Sequence, residues 1–100
     1  MKKTLNERLR ESLRLTILQL LGELENRRLD ERTLGMALRD MERETARDVL
    51  LGELLWMDRQ GLVSLTNTDT YSATVTLTER GDLAQRGETV EPGVARPALG

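Results

Sequence analysis

The strongest constraint on this chain is the spacing of its apolar residues. Across residues 4–24, Leu5, Leu9, Leu13, Ile17, Leu20, Leu21 and Leu24 recur three and four positions apart, with Glu7, Arg8, Arg10, Glu11 and Arg14 between them. That repeat lines one face of a long amphipathic helix. Leu15 and Leu18 widen the stripe beyond what one packing partner needs, so either a second surface covers it or the helix is a broad core-facing one. Asp30 can then accept from the first amides of a second helix, with Leu29 and Leu34 spaced as a hydrophobic staple. This helix is expected to reach about residue 41 and to bury Leu34, Ala37, Leu38 and Met41. Thr45 followed by Asp48 reads as a short-armed capping box for a third helix over residues 46–59, whose apolar series is Ala46, Val49, Leu50, Leu54 and Met57. Gly61 closes it, because glycine takes the left-handed conformation readily.

After Gly61 the period changes. Residues 62–66 and 71–77 are rich in Val and Thr and alternate in polarity, with the turn-forming Asn67-Thr68-Asp69-Thr70 between them, which predicts a β-hairpin. Thr78 can cap a last short helix to about residue 86. The Gly- and Pro-containing segment 87–100 is expected to be irregular. One hundred residues with 38% hydrophobic side chains suit a single small domain over residues 1–86 followed by that tail. Trp56 and Tyr71 are the only aromatics, so Leu, Val and Met must supply the core.

The chain has no Cys and no His, which removes disulfides, thiol nucleophiles, Ser-His triads and structural zinc together. Carboxylate pairs such as Glu23/Glu25 and Glu42/Glu44 lack a convergent third ligand, and residues two apart on a helix point to different faces. No enzyme activity, cofactor or metal is expected. No apolar run approaches the roughly 18 residues of a membrane span, and residues 1–5 open no signal-peptide pattern, so a cytoplasmic protein with no membrane contact is expected.

The order of helix, short helix, turn, helix, Gly-Leu-Val, hairpin and Leu-Thr-x-x-Gly resembles a winged helix-turn-helix, a mainly α fold with a β-hairpin. Within it, Leu54-Leu55-Trp56-Met57-Asp58-Arg59-Gln60-Gly61-Leu62-Val63 resembles the end of the recognition helix and first wing strand of ArsR- and MarR-type regulators. Leu77-Thr78-Glu79-Arg80-Gly81 resembles their post-wing turn. The ending, residues 87–97, is similar to the tails of small winged-helix proteins of Mu-like phages, which implies a phage or prophage origin and hence the cytoplasm of a bacterial host cell.

This resemblance implies double-stranded DNA as a partner. Arg43, Thr45 and Arg47 then stand at the start of the recognition helix, with Arg27 and Arg28 in an earlier turn as further phosphate contacts. The charge distribution is less accommodating. Residues 1–50 carry a net +1 and residues 51–100 a net −3, and the stretch 42–59 sums to −2, which repels phosphate unless its acids are already paired. The positions that resemble base-reading ones are Leu51, Gly52, Leu55 and Trp56, and the wing turn holds no cation. The basic side chains on the first helix, Lys2, Lys3, Arg8, Arg10 and Arg14, read either as a non-standard DNA face or as an ordinary solvated one.

Trp56 is expected to pack beside Val49 and under the hairpin near Tyr71, rather than to anchor a partner. Leu51 and Leu55, if exposed, form an apolar patch that suits a protein partner. A homodimer is also expected, through Leu5, Leu9 and Leu13 on the first helix. The functional expectation is therefore a transcription-regulator-like DNA-binding protein of a phage. Its rival is a protein-interaction module on the same fold, such as a packaging accessory or an inhibitor of a host protein.

Overall fold

A computed structural model describes residues 2–69 and 72–98 of the chain. Helix α1 spans Leu5–Glu23, and the Thr4 hydroxyl caps it by accepting from the Glu7 amide at 3.1 Å. A three-residue strand β1, Arg28–Asp30, leads directly into α2, Glu31–Asp40, which Asp30 caps through the Thr33 amide. Helix α3, Arg47–Arg59, is followed by β2, Val63–Thr66, β3, Thr74–Leu77, and the short helix α4, Glu79–Gln85. Among the described residues the chain thus holds four helices and one antiparallel sheet of three strands.

The sheet order is β1-β3-β2, so the last strand in sequence lies in the middle. Val75 stands opposite both Leu29 and Leu65, and Val63 opposite Leu77. The alternation of a strand therefore sends these five apolar side chains to one face, while Ser64, Thr66, Thr74 and Thr76 take the other. The apolar face packs on helices: α1 lies against β3 and α4, α3 against β2, and α2 against β1 and α3. Between the layers lie Ile17, Leu18 and Leu21 of α1, Leu34 and Leu38 of α2, Leu54 and Met57 of α3, and Leu62, Val63 and Val75, all essentially inaccessible.

The hairpin expectation is corrected by β1. Residues 28–30 carry too little periodicity to announce a strand, yet they hydrogen-bond to β3 and convert a two-stranded ribbon into a sheet. Two helical details also differ. Met41 and Val49 are exposed, because Met41 sits just past the end of α2 and Val49 on a flank of α3. Thr45 does not cap α3. Its hydroxyl donates to the Arg43 carbonyl at 3.0 Å, and the helix begins after Ala46 with no side-chain cap bond. Gly61 has the expected positive φ of 78°.

The Leu-Thr-x-x-Gly segment has a specific packing reason. The Thr78 hydroxyl donates to the carbonyls of Gly61 (2.7 Å) and Leu62 (2.8 Å) and accepts from the Gly81 amide at 3.0 Å. A Cβ on Gly81 would run into the Leu62 carbonyl, so only glycine lets α4 sit this close to the turn after α3.

The tail is irregular as expected, but it is packed. Val94 is buried in the core, and the Ala95 amide donates to the Glu11 carbonyl at 3.1 Å. Glu91 takes both Nε and Nη2 of Arg80 at 2.7 Å. Residues 88–95 thereby form a strap that runs from α4 back across α1.

Candidate functional site

The residues expected to meet DNA are each held by a different neighbour. Arg43 is half-buried, its Nη1 donating to Ser12 Oγ (3.1 Å) and Thr16 Oγ1 (3.0 Å) on α1. Arg47 pairs with the buried carboxylate of Glu31 at the start of α2, 3.0 Å away. Arg27 reaches α4, 2.8 Å from Asp82 Oδ2, and this pairing, helped by a hydrogen bond from Gln85, holds the Asp82 carboxyl below its usual range. Arg28 lies exposed on β1 opposite Thr76, and Thr45 is half-buried beneath Arg43. Arg27, Arg43 and Arg47 thus fasten three elements to three others and do not form one cationic surface.

The acids near α3 sort differently from what their sequence suggests. Glu53 turns inward to Arg14 Nε at 2.6 Å, with each side chain only 11% exposed. The same guanidinium donates to the Gly93 carbonyl at 2.8 Å and stacks 3.8 Å from the centre of the Trp56 ring. Gly93 has φ +88° and lies so close to that ring that a Cβ there would strike it. This cluster of Arg14, Glu53, Trp56 and Gly93 seats the strap on α3. It explains why Trp56 is half-buried, by two neighbours its sequence position did not announce; Val49 stands on the same flank of α3, and Tyr71 lies outside the described residues. Asp58 accepts from the Leu65 amide of β2 at 3.3 Å, and Glu44 pairs with Arg39.

Helical geometry fixes which side of α3 remains for a partner. Leu50, Leu54 and Met57 are buried, and at 100° per residue the opposite side carries Asp48, Gly52, Leu55 and Arg59. All four are exposed, Leu55 to 46%. Leu51 is half-buried on one flank and Val49, 50% exposed, stands on the other. The apolar patch expected at Leu51 and Leu55 is therefore carried mainly by Leu55.

Two grooves border this helix. One, of about 360 Å³, lies between α1 and the start of α3 and is lined by Leu9, Arg10, Leu13, Arg43, Thr45 and Val49, among others. The other, of about 800 Å³, lies between α2 and α3, where Arg32, Met36, Arg39, Arg47 and Leu50 contribute. The β2–β3 turn carries no cation among its described residues Asn67, Thr68 and Asp69. Of the leucines expected at a dimer contact, Leu5 (71%) and Leu9 (53%) are exposed, on helical turns that project beyond the core. Leu13 is a correction. It is buried in the core of its own chain, with only an edge at the groove between α1 and α3, and offers little surface to a second subunit.

Over 93 residues, covering 93% of this chain and 95% of the relative, the sequence is 34% identical to an uncharacterized protein, gp26, of Escherichia phage Mu. The chain belongs to the gp26 family. Its bacteriophage origin follows from that relationship, since the match takes in nearly the whole of both chains. No family model matches the sequence, and no solved structure matches it. No helix of this gp26-family protein, among the described residues, is long and apolar enough to cross a membrane.

Proposed function

We propose that this phage protein is a winged-helix protein whose third helix docks another protein. The order α1-β1-α2-α3-β2-β3, with β3 between the other strands, supports the winged-helix reading. So does the Thr78–Gly81 turn locked behind the hairpin.

One observation carries the docking reading: the solvent side of α3 consists of Asp48, Gly52, Leu55 and Arg59. Reading a major groove requires side-chain donors and acceptors matched to base edges. Gly52 and Leu55 have neither, Asp48 repels phosphate, and Arg59 stands alone at the far end. An exposed leucine flanked by charges and beside a glycine suits a protein surface instead. A packaging accessory and an inhibitor of a host protein both work through such a face.

The regulator-like reading, with double-stranded DNA as the ligand, has its own support. The first amides of α3 have no side-chain cap, and Arg32, Arg39 and Arg47 line the groove beside them. Backbone amides and the helix dipole favour phosphate at such an end.

A mobility-shift titration against duplex DNA at two salt concentrations separates the readings. Protein docking predicts no specific shift at either salt. An affinity that falls steeply with salt, and that Arg47→Ala weakens while flattening the salt slope, overturns docking in favour of DNA.

A further inference from the structure

We propose that the partner docked by α3 is a second copy of this chain, the two α3 helices lying antiparallel across a two-fold axis; this rests on the docking reading above. The exposed positions Asp48, Gly52, Leu55 and Arg59 are spaced four, three and four apart. That is the spacing of a helix–helix seam, whose partners meet knob into hole. The positions that flank them inward, Leu50, Glu53, Leu54 and Met57, face the core of the same chain, so the seam points wholly outward.

The order of side chains along the seam is self-complementary. Its centre falls between residues 53 and 54, midway between Gly52 and Leu55 and also midway between Asp48 and Arg59. An antiparallel copy therefore sets each Leu55 against the other copy's Gly52 and each Asp48 against the other copy's Arg59. A parallel copy would instead stack like on like, with two carboxylates at one end and two guanidiniums at the other. Asp48 and Arg59 lie eleven residues apart, roughly 16 Å along the helix, and among the described residues neither side chain makes an ion pair or hydrogen bond within its own chain. A self-complementary patch is what a two-fold interface requires, because the same surface serves both partners.

Gly52 is the second observation. A glycine inside a helix destabilises it relative to alanine. Gly81 has the Leu62 carbonyl against it, Gly22 the end of the Gln85 side chain and Gly35 an ordinary contact with Leu50, but a Cβ on Gly52 would meet nothing within 4 Å. Within one chain the missing side chain has no packing reason. Across the two-fold it makes the recess that receives Leu55. Val49 and Trp56, on the same flank of α3, would then extend the apolar contact at each end. An interface of about one helix per subunit is small, so the dimer is a weak one that forms with rising concentration.

Sedimentation equilibrium from micromolar to millimolar protein tests this. The wild-type mass should climb from 11.3 kDa toward twice that value. Asp48→Arg should hold the mass at the monomer, since each new arginine faces Arg59, and the double variant Asp48→Arg/Arg59→Asp should restore the dimer. Gly52→Leu should also give a monomer while melting no lower than wild type, which separates a blocked recess from a damaged fold. A wild-type mass that stays at 11.3 kDa throughout overturns self-pairing. So does a dimer that survives Asp48→Arg and Gly52→Leu and is lost in Leu9→Asp, which would assign it to α1. A monomer that also ignores duplex DNA overturns self-pairing alone; steep salt-dependent DNA binding overturns the docking reading beneath it.

Discussion

Arg14 is the side chain with the most to do, because one guanidinium meets a carboxylate and an indole face on α3 and a backbone carbonyl on the strap. Its spacing placed it among the solvated cations of the first helix, and nothing local distinguished it from Arg8 or Arg10. Its partners, Glu53 and Gly93, lie 39 and 79 positions away. Trp56 was legible as a packed aromatic, but not its neighbours. Replacing Glu53 by Gln leaves the guanidinium without its charged acceptor in a poorly solvated place. The expected loss is about 1–3 kcal/mol, measured as a lower denaturation midpoint with a Trp56 emission shifted to the red. Gly52→Ala has the opposite sign. With open space around the new methyl, it should raise monomer stability by about 0.5–1 kcal/mol. A melting temperature unchanged or lowered by Gly52→Ala would mean that the helix backbone there is not regular.

Helices α1, α2 and α4 were legible to within a residue or two, α1 by its apolar repeat, α2 by its Asp30 cap and the leucines after it, and α4 by its Thr78 cap. Helix α3 was legible in position but not in detail. Thr45 offered a capping signal, yet its hydroxyl is drawn back to the Arg43 carbonyl by the turn that seats Arg43 on α1. Val49 read as apolar and hence inward, although it lies on the flank that faces solvent. Strand β1 left no signal at all, since its three residues are Arg, Leu and Asp and only pairing with β3 makes them a strand. The seam between α3 and the sheet is where an element can be tested by itself. Met57 is fully buried there, and Met57→Ala should destabilise the chain by about 2–4 kcal/mol through lost burial and the cavity left behind. Guanidinium unfolding monitored by far-ultraviolet circular dichroism gives the number directly.

Three carboxylates, Asp30, Asp82 and Glu91, join pieces of the chain that are distant in sequence, and each is held below its ordinary range. Asp30 is lowered by hydrogen bonds from Thr33 and Ser72, Asp82 by Arg27 and then Gln85, and Glu91 by Arg80. A carboxyl whose folded-state value is depressed contributes stability that is complete above its unfolded value, about 4, and is lost as the pH falls through the folded value. The melting temperature should therefore be level above about pH 5 and fall below about pH 4. Asp82→Asn should flatten part of that acid limb. The order of elements that led to the winged-helix expectation was legible because each boundary carries its own signal in Gly61, Thr78 or Asp30. The strap was not, because residues 88–95 have no period, and what holds them is the shape left between α1 and α3. The central place of β3 also governs when the protein can fold as it is made. Strands β1 and β2 have no contact with each other in the sheet, so a nascent chain that has emerged only as far as residue 73 holds two strands with nothing to pair to. Both ladders become possible only once residues 74–77 are out, so neither outer strand is paired before the other and the sheet assembles in one step rather than hairpin first.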